Sequence, residues 1–340
     1  MHFRFVSNTS RRRHLLITGV LFGLLGIHAT QLAKAQDTKP LANKKIRLVV
    51  PFSPGGGVDG LARAVAESLT RNAGATVIVE NKPGAGGNIA AVQVAKSQTT
   101  ATGELQLLVT SVNHYANPVM VKNSGYDAYK DFVPVARTAM QPLALLVNPN
   151  VPVKNLKEFI SYTRAKPGQI NYGSAGNGGI SHLVPEMFKT ATGLFMVHIP
   201  YRGSAPAFTD LMAGQVQFMA ESIPQAANYH KQGKVKALAV TSKERNPALP
   251  DVPTVIESGV PNFEVVGFYG FLAPAGTPPD VVAKLSDAFR QVLNTPDVRN
   301  KMVTQGADPA FLGHDAFASF LNAELPRWAA VAKASGAKLD

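Results

Sequence analysis

The stretch IRLVVPFSPGGGVDGLARAVAESLTRNAGATVIVENKPG, residues 46–84, carries the fold in outline. An apolar, β-rich run leads into Gly55-Gly56-Gly57-Val58-Asp59-Gly60, a helical pattern follows over residues 58–71, and a second apolar run, TVIVEN, comes next. Strand, glycine loop, helix and strand make the repeating unit of a parallel α/β sheet. The spacing is also that of a dinucleotide-binding fingerprint, G-x-G-x-x-G, with Glu80 standing 20 residues after Gly60. Three features oppose the dinucleotide reading. Pro51-Phe52-Ser53-Pro54 lengthens and stiffens the loop where the fingerprint needs a tight turn. Gly60 falls a full turn into the helix. An exported enzyme would also lack the cytoplasmic cofactor pool. A phosphate-binding P-loop fares worse, because no Gly-Lys-Ser/Thr follows.

A glycine loop of this kind has a simpler use. Its backbone allows close approach, and its N–H groups join the start of the next helix in facing an anion. In this reading Asp59 caps the helix rather than touching a ligand. The device recurs at Pro83-Gly84-Ala85-Gly86-Gly87 after TVIVEN, at 171–179 (NYGSAGNGG) before a helix beginning near Ile180, and at Tyr201-Arg202-Gly203-Ser204 before one beginning near Ala205. Each loop follows a strand, where open α/β sheets bind ligands. Several such loops, divided between two domains, point to a small anion held in a cleft by backbone donors.

Working outward, strands are expected at IRLVVPF, TVIVEN, LQLLVTS, INYGS, MVHIPY, QVQFMAES and VKALAVTS, with helices at 58–71, 88–96, 180–190, 205–212 and 225–231. Gly193, Gly214 and Gly233 stand where helix C-caps belong. The alternation runs twice, and both sheets are expected to be parallel. The tail from Pro279 reads as helical with no strong strand, so it is expected to return and pack on the first sheet. The chain then crosses between domains twice, near 140–146 and 265–272, which describes a hinged, clam-like receptor. The domains are expected at 36–142 plus 268–340 and at 143–267.

The chain has 340 residues, room for two domains of ordinary size, and no cysteine, which excludes disulfides and thiolate chemistry. Residues 1–35 read as an export signal, with Arg11-Arg12-Arg13, a 13-residue apolar core at 15–27 that is short for a membrane span, and Ala33-Lys34-Ala35 before Gln36. Both the Sec and the twin-arginine routes fit it, although His14 departs from the twin-arginine motif. Removing its five basic residues leaves 29 against 22 acidic ones, a net of +7. No basic run is interleaved with aromatics, so nucleic acid is not an expected partner.

Catalytic patterns are weak. Ser174 lacks the glycine two residues earlier that a nucleophile elbow needs, Tyr172 standing there instead. His182 and Glu186 share a helix face without a third ligand and read as a surface pair, so no metal is expected. Phe268 and Tyr269 read as hinge packing. The rival that stays open is a dinucleotide-binding or hydrolytic α/β enzyme using the 55–60 loop.

The motifs PFSPGGGVDGLAR (51–63), NKPGAGGNIA (81–90), TSVNHYANP (110–118), INYGSAGNGGISHL (170–183), HIPYRGSAPAFTDLMAGQVQFM (198–219), LPDVPTVIESGVP (249–261) and GFLAPAGTP (270–278) together resemble the Bug-type extracytoplasmic solute receptors of tripartite tricarboxylate transporters. The resemblance covers nearly all of the chain after the signal. It implies a type II periplasmic binding-protein fold, two α/β domains joined by two crossing segments with a ligand cleft between them. It implies a periplasmic, non-enzymatic, monomeric receptor with no cofactor. The ligand would be a small organic carboxylate, passed to the membrane components of a tripartite tricarboxylate-type transporter or to a sensor kinase. Carried over by position, the ligand-facing residues are Phe52, Ser53, Gly56 and Gly57, then Ser111 and Asn113, then Ser174, Asn177 and Gly178, and finally Arg202, Gly203 and Ser204. Where relatives often carry an Asp-Ser pair this chain reads Ala220-Glu221-Ser222, which adds an acid near the cleft; Thr102-Gly103-Glu104-Leu105 is a second departure.

Overall fold

A computed structural model describes His2 and residues 39–55, 57–97 and 103–336; the rest of the segment expected to be an export signal, Gly56 and Thr102 lie outside the described residues. The chain forms two sheets. The first holds β1 (Lys45–Val50), β2 (Thr76–Asn81), β3 (Glu104–Thr110), β4 (Phe132–Gln141), β10 (Gly267–Pro274) and β11 (Asp308–Gly313), in the order β11-β4-β10-β3-β1-β2. The second holds β5 (Leu143–Val147), β6 (Asn171–Ser174), β7 (Val197–Pro200), β8 (Phe218–Ser222) and β9 (Lys236–Val240), in the order β7-β6-β8-β5-β9.

Both faces of each sheet are covered, which is why the strands read as apolar runs rather than strict alternations. In β1, Ile46, Leu48 and Val50 point into one core with Leu61 and Val65 of α1 (Gly57–Ser68) and with Leu285 and Phe289 of α8 (Pro279–Leu293). Val49 points the other way, into a core with Ala90 and Val94 of α2 (Asn88–Ala95), Ala116 of α3 (Asn113–Met120) and Phe317 and Leu321 of α10 (His314–Ala334). That second core is continuous into the other domain. It takes in Leu143, Leu145 and Val147 of β5, Phe159 of α4 (Leu156–Arg164), and Leu183 and Phe188 of α5 (Ile180–Thr192). Ala144 and Leu146 face α6 (Ser204–Ala213) and α7 (Ile223–Lys231) instead. The tail does return to the first sheet: α8, α9 (Pro296–Thr304) and α10 all pack there.

The sheets are not purely parallel. β1 pairs in parallel with β2 and β3, and β6 with β7 and β8, but β10 runs antiparallel to β3 and β4, and β5 antiparallel to β8 and β9. The crossings impose this. β4 ends at Gln141 and β5 begins at Leu143 in the other sheet, so β5 starts at the edge between the domains and must run away from it. β10, entering from the second domain, does the same in the first. The tail also contains a strand that the apolar pattern does not announce. DPAFLG of β11 carries a proline and pairs with β4 alone, at the sheet edge where proline is tolerated.

Helix starts fall within two residues of expectation, and Gly193 and Gly214 are left-handed C-caps. The helix expected over 58–71 instead closes at Ser68 and loosens into a π-helical turn, Leu69–Ala73, before Gly74. Among the described residues no helix is long and apolar enough to cross a membrane.

Candidate functional site

Parallel strands end on a common edge, and here the two edges face each other. A cavity of about 920 Å3 lies between them. Its first wall comes from the loops after β1, β2 and β3, with Phe52, Gly57, Gly86, Ser111 and Asn113. The opposite wall comes from the loops after β6, β7 and β8, with Ala175, Asn177, Gly203, Ser204 and Glu221. The crossings supply Gln141, Gly267, Phe268 and Tyr269. Five helices (α1, α3, α5, α6 and α7) begin at this cavity. First-turn N–H groups have no acceptor within their own helix, and α3, α5, α6 and α7 have no side-chain bond at the N-cap. The same holds for α8, α9 and α10, whereas Asn155, the N-cap of α4, accepts from Glu158 N at 2.9 Å and closes its own cap.

No lysine, arginine or histidine is among the described residues lining the cavity. Positive potential there comes from the helix starts. The two acids that line it differ. Asp59, 3% exposed, accepts from Gly55 N at 2.9 Å, Arg63 Nε at 3.0 Å and Asn81 Nδ2 at 2.9 Å. Burial pushes its carboxyl up, but these three bonds outweigh burial and hold it below its ordinary value. Asp59 thus ties the first loop to β2 from within the helix, rather than from the cap position. Glu221, 7% exposed, spends Oε1 on Ser222 N at 2.8 Å and leaves Oε2 without a hydrogen-bond partner. Burial raises its carboxyl; the Ser204 and Ser222 hydroxyls favour the charged form from nearby without closing a bond to Oε2.

Of the residues carried over by position, Phe52, Gly57, Ser111, Asn113, Asn177, Gly203 and Ser204 line the cavity. Gly56 lies outside the described residues. Ser53, Ser174, Gly178 and Arg202 are not lining residues, and the last three have visible reasons. Ser174 is wholly buried, its Oγ 2.6 Å from His198 Nε2. Gly178 donates its N–H to His182 Nδ1 at 3.1 Å. Arg202 is exposed and outside the lining. His182 and Glu186 are not a surface pair. Both are buried, Glu186 accepting from Tyr172 Oη and from Lys189 Nζ at 2.7 Å, and His182 stacking on His198 with ring centroids 4.1 Å apart. Burial pushes His182 down to about 4 and His198 to about 3, so the stack is neutral and backs the 175–179 loop. Among the described residues no group of three or more potential metal-ligating His, Cys, Asp or Glu side chains assembles.

Tyr269 and Gln305 are lining residues that sequence reasoning missed. Phe268 and Tyr269 do pack at the crossing, at 1% and 5% exposed, yet both also face the cavity. Gln305 follows α9 in the returning tail. Its amide lies over Gly60, where a Cβ would stand 2.0 Å from Nε2. The third glycine of the fingerprint therefore makes room for a side chain of the tail.

Two α/β domains, two crossings and a cleft rimmed by helix starts define a two-lobed solute receptor. Residues 61–337 match the family described as "Tripartite tricarboxylate transporter family receptor". Protein BugT of Bordetella pertussis is 34% identical over 328 residues, 96% of this chain and 98% of BugT. An R. palustris protein solved with adipate superposes with a TM-score of 0.76 at 34% identity, covering 86% of this chain and 98% of its own. MatC from Rhodopseudomonas palustris, solved with bound malate, gives 0.72 at 33% identity, over 85% and 98%. The chain belongs to the tripartite tricarboxylate transporter receptor family, whose members bind solutes rather than catalyse reactions.

Proposed function

We propose that the mature protein works in the periplasm as a monomeric receptor. It captures a small organic carboxylate in the cleft and delivers it to the membrane components of a tripartite tricarboxylate-type transporter. The functional division is 36–142 plus 268–340 against 143–267, with the ligand drawing the two together. The observation that carries this reading is the convergence of five helix starts on a cavity with no cationic side chain among its described lining residues. Such a site suits a compact anion met by backbone donors. Relatives solved with adipate and malate support the ligand class, and a cavity of about 920 Å3 has room for ligands of that size.

Phe52, Gly57, Ser111, Asn113, Asn177, Gly203 and Ser204 are the residues of the sequence set that meet the ligand, with Gln141, Tyr269 and Gln305 added. Ser174 and Gly178 act behind the wall. Isothermal calorimetry of the mature protein against mono-, di- and tricarboxylates, including adipate and malate, and against NAD tests the reading. At least one carboxylate should bind with one-to-one stoichiometry and NAD should not. Binding of NAD, with no carboxylate bound, would overturn it.

A further inference from the structure

Glu221 is the feature of the cleft that simple anion capture does not use. It stands at the end of β8, opposite Ala144 of β5, in a wall whose other polar lining groups are uncharged: glycine backbone, the Ser181, Ser204 and Ser222 hydroxyls, and the Asn177 and Gln225 amides. An unpartnered carboxylate oxygen in a buried place is costly unless something donates to it. The groups around it do not. Ser204 and Ser222 close no bond to Oε2, and Tyr269, whose phenol is pushed up first by burial and then by the Glu221 charge, stays an uncharged neighbour. No basic residue is among the described residues lining the cavity. A second acceptor stands across the cleft: Gln305 Oε1 is also buried without a partner. Gly306, next to Gln305, packs on Ser222, next to Glu221: a Cβ on Gly306 would stand 3.3 Å from the Ser222 Cβ.

We infer that Glu221 accepts a hydrogen bond from an ammonium group on the ligand, with Gln305 Oε1 as a second acceptor, so that the receptor prefers carboxylates carrying an ammonium over the same skeletons without one. The inference rests on the carboxylate-receptor reading and names the ligand class within it. A plain dicarboxylate would bring two negative charges to a cleft whose described lining holds Asp59, already paired with Arg63, and Glu221, with no basic side chain beside it. An amino acid brings a cation for Glu221 and a carboxylate for the helix starts, and the two charges satisfy both kinds of site. Like-charge juxtaposition against the dicarboxylate adds discrimination.

Calorimetry with matched pairs tests this: propionate and alanine, succinate and aspartate, glutarate and glutamate, against wild type and Glu221→Gln. In wild type the ammonium-bearing member of at least one pair should bind tighter by about 10-fold or more. In Glu221→Gln, with its cooperative unfolding retained, that ratio should fall towards one. Equal or tighter binding of the ammonium-free member in wild type would mean that Glu221 is held protonated and donates, and would overturn the inference. So would a preference that survives Glu221→Gln. Binding of none of the six also overturns it. The receptor reading would then stand on the wider carboxylate panel, so the two failures are distinct.

Discussion

The two walls of the cleft are built in opposite ways. The first wall is a hydrogen-bonded scaffold: Asp59 binds Gly55, Arg63 and Asn81; Asn81 Nδ2 donates to Phe52 O at 3.0 Å; Asn113 and Asn117 donate to Gly86 O at 3.0 and 2.7 Å; Ser111 Oγ donates to Asn113 Oδ1. Its polar side chains mostly hold one another. In the second wall the support lies behind the surface, in the Tyr172–His198–His182 stack; the surface mixes glycine backbone with the Asn177 and Gln225 amides and the Ser181 and Ser204 hydroxyls, and one buried carboxyl oxygen of Glu221 is left unpartnered. One wall is prepared in advance, and the other keeps its best acceptor for the ligand. Shape should therefore depend on the first wall and selectivity on the second.

That contrast can be broken most sharply at Gly57. Its φ is not among the positive ones, and an added Cβ would meet nothing nearer than Gln305 O and Tyr269 Oη, both at 3.8 Å. The backbone does not require glycine, so Gly57→Val should fold normally and fill the cleft. Carboxylate affinity should fall by about 100-fold or more, roughly 2.8 kcal/mol, at an unchanged melting temperature. Unchanged affinity would move the ligand away from the first wall.

Asp59→Asn should cost stability rather than selectivity, about 1–3 kcal/mol, because it disturbs three bonds to a buried carboxylate. The wild-type carboxyl is held below its ordinary 3.8. Its contribution is therefore complete above that value and is lost as the pH falls through the folded pKa. Urea unfolding of both proteins should show the widest gap at neutral pH, narrowing as the pH drops below 3.8. A gap that does not depend on pH would mean the carboxylate's charge is not what holds the loop. Behind the second wall, Ser174→Ala removes the contact to His198 and should cost about 0.5–1.5 kcal/mol of stability while leaving affinity nearly unchanged. A large loss of affinity would return Ser174 to the ligand. The smallest effect is expected at Arg202. Arg202→Ala should change stability by under about 0.5 kcal/mol and weaken binding only at low salt, where its field reaches the cleft mouth.

The sequence showed the first wall better than the second. PFSPGGGVDG, NKPGAGG and TSVN each follow an apolar strand, so their place at a sheet edge can be read from the order alone. In the second wall, chain order does not separate residues that face the cleft from those that support it. Ser174 and Asn177 lie three residues apart, one bonded to a buried histidine and the other in the lining. Arg202 and Ser204 part in the same way within one turn. Gln305 was the hardest to see, since its role depends on the tail folding back over Gly60, a contact 245 positions distant in the chain. The antiparallel strands were hidden for a related reason: direction in β5 and β10 follows from which domain the chain has just left, not from local pattern.

A crystal structure of the protein with a bound carboxylate tests the central claim most directly. The molecule has a second hollow, about 490 Å3, near the β2 edge of the first sheet, beside Lys45, Arg47, Glu80, Lys82 and Glu104. Cationic side chains make that hollow the obvious rival for an anion. The account predicts ligand density in the interdomain cleft, with the carboxylate at the starts of α1 and α6, in contact with Gly57 and Ser204. Density in the second hollow with an empty cleft would contradict it.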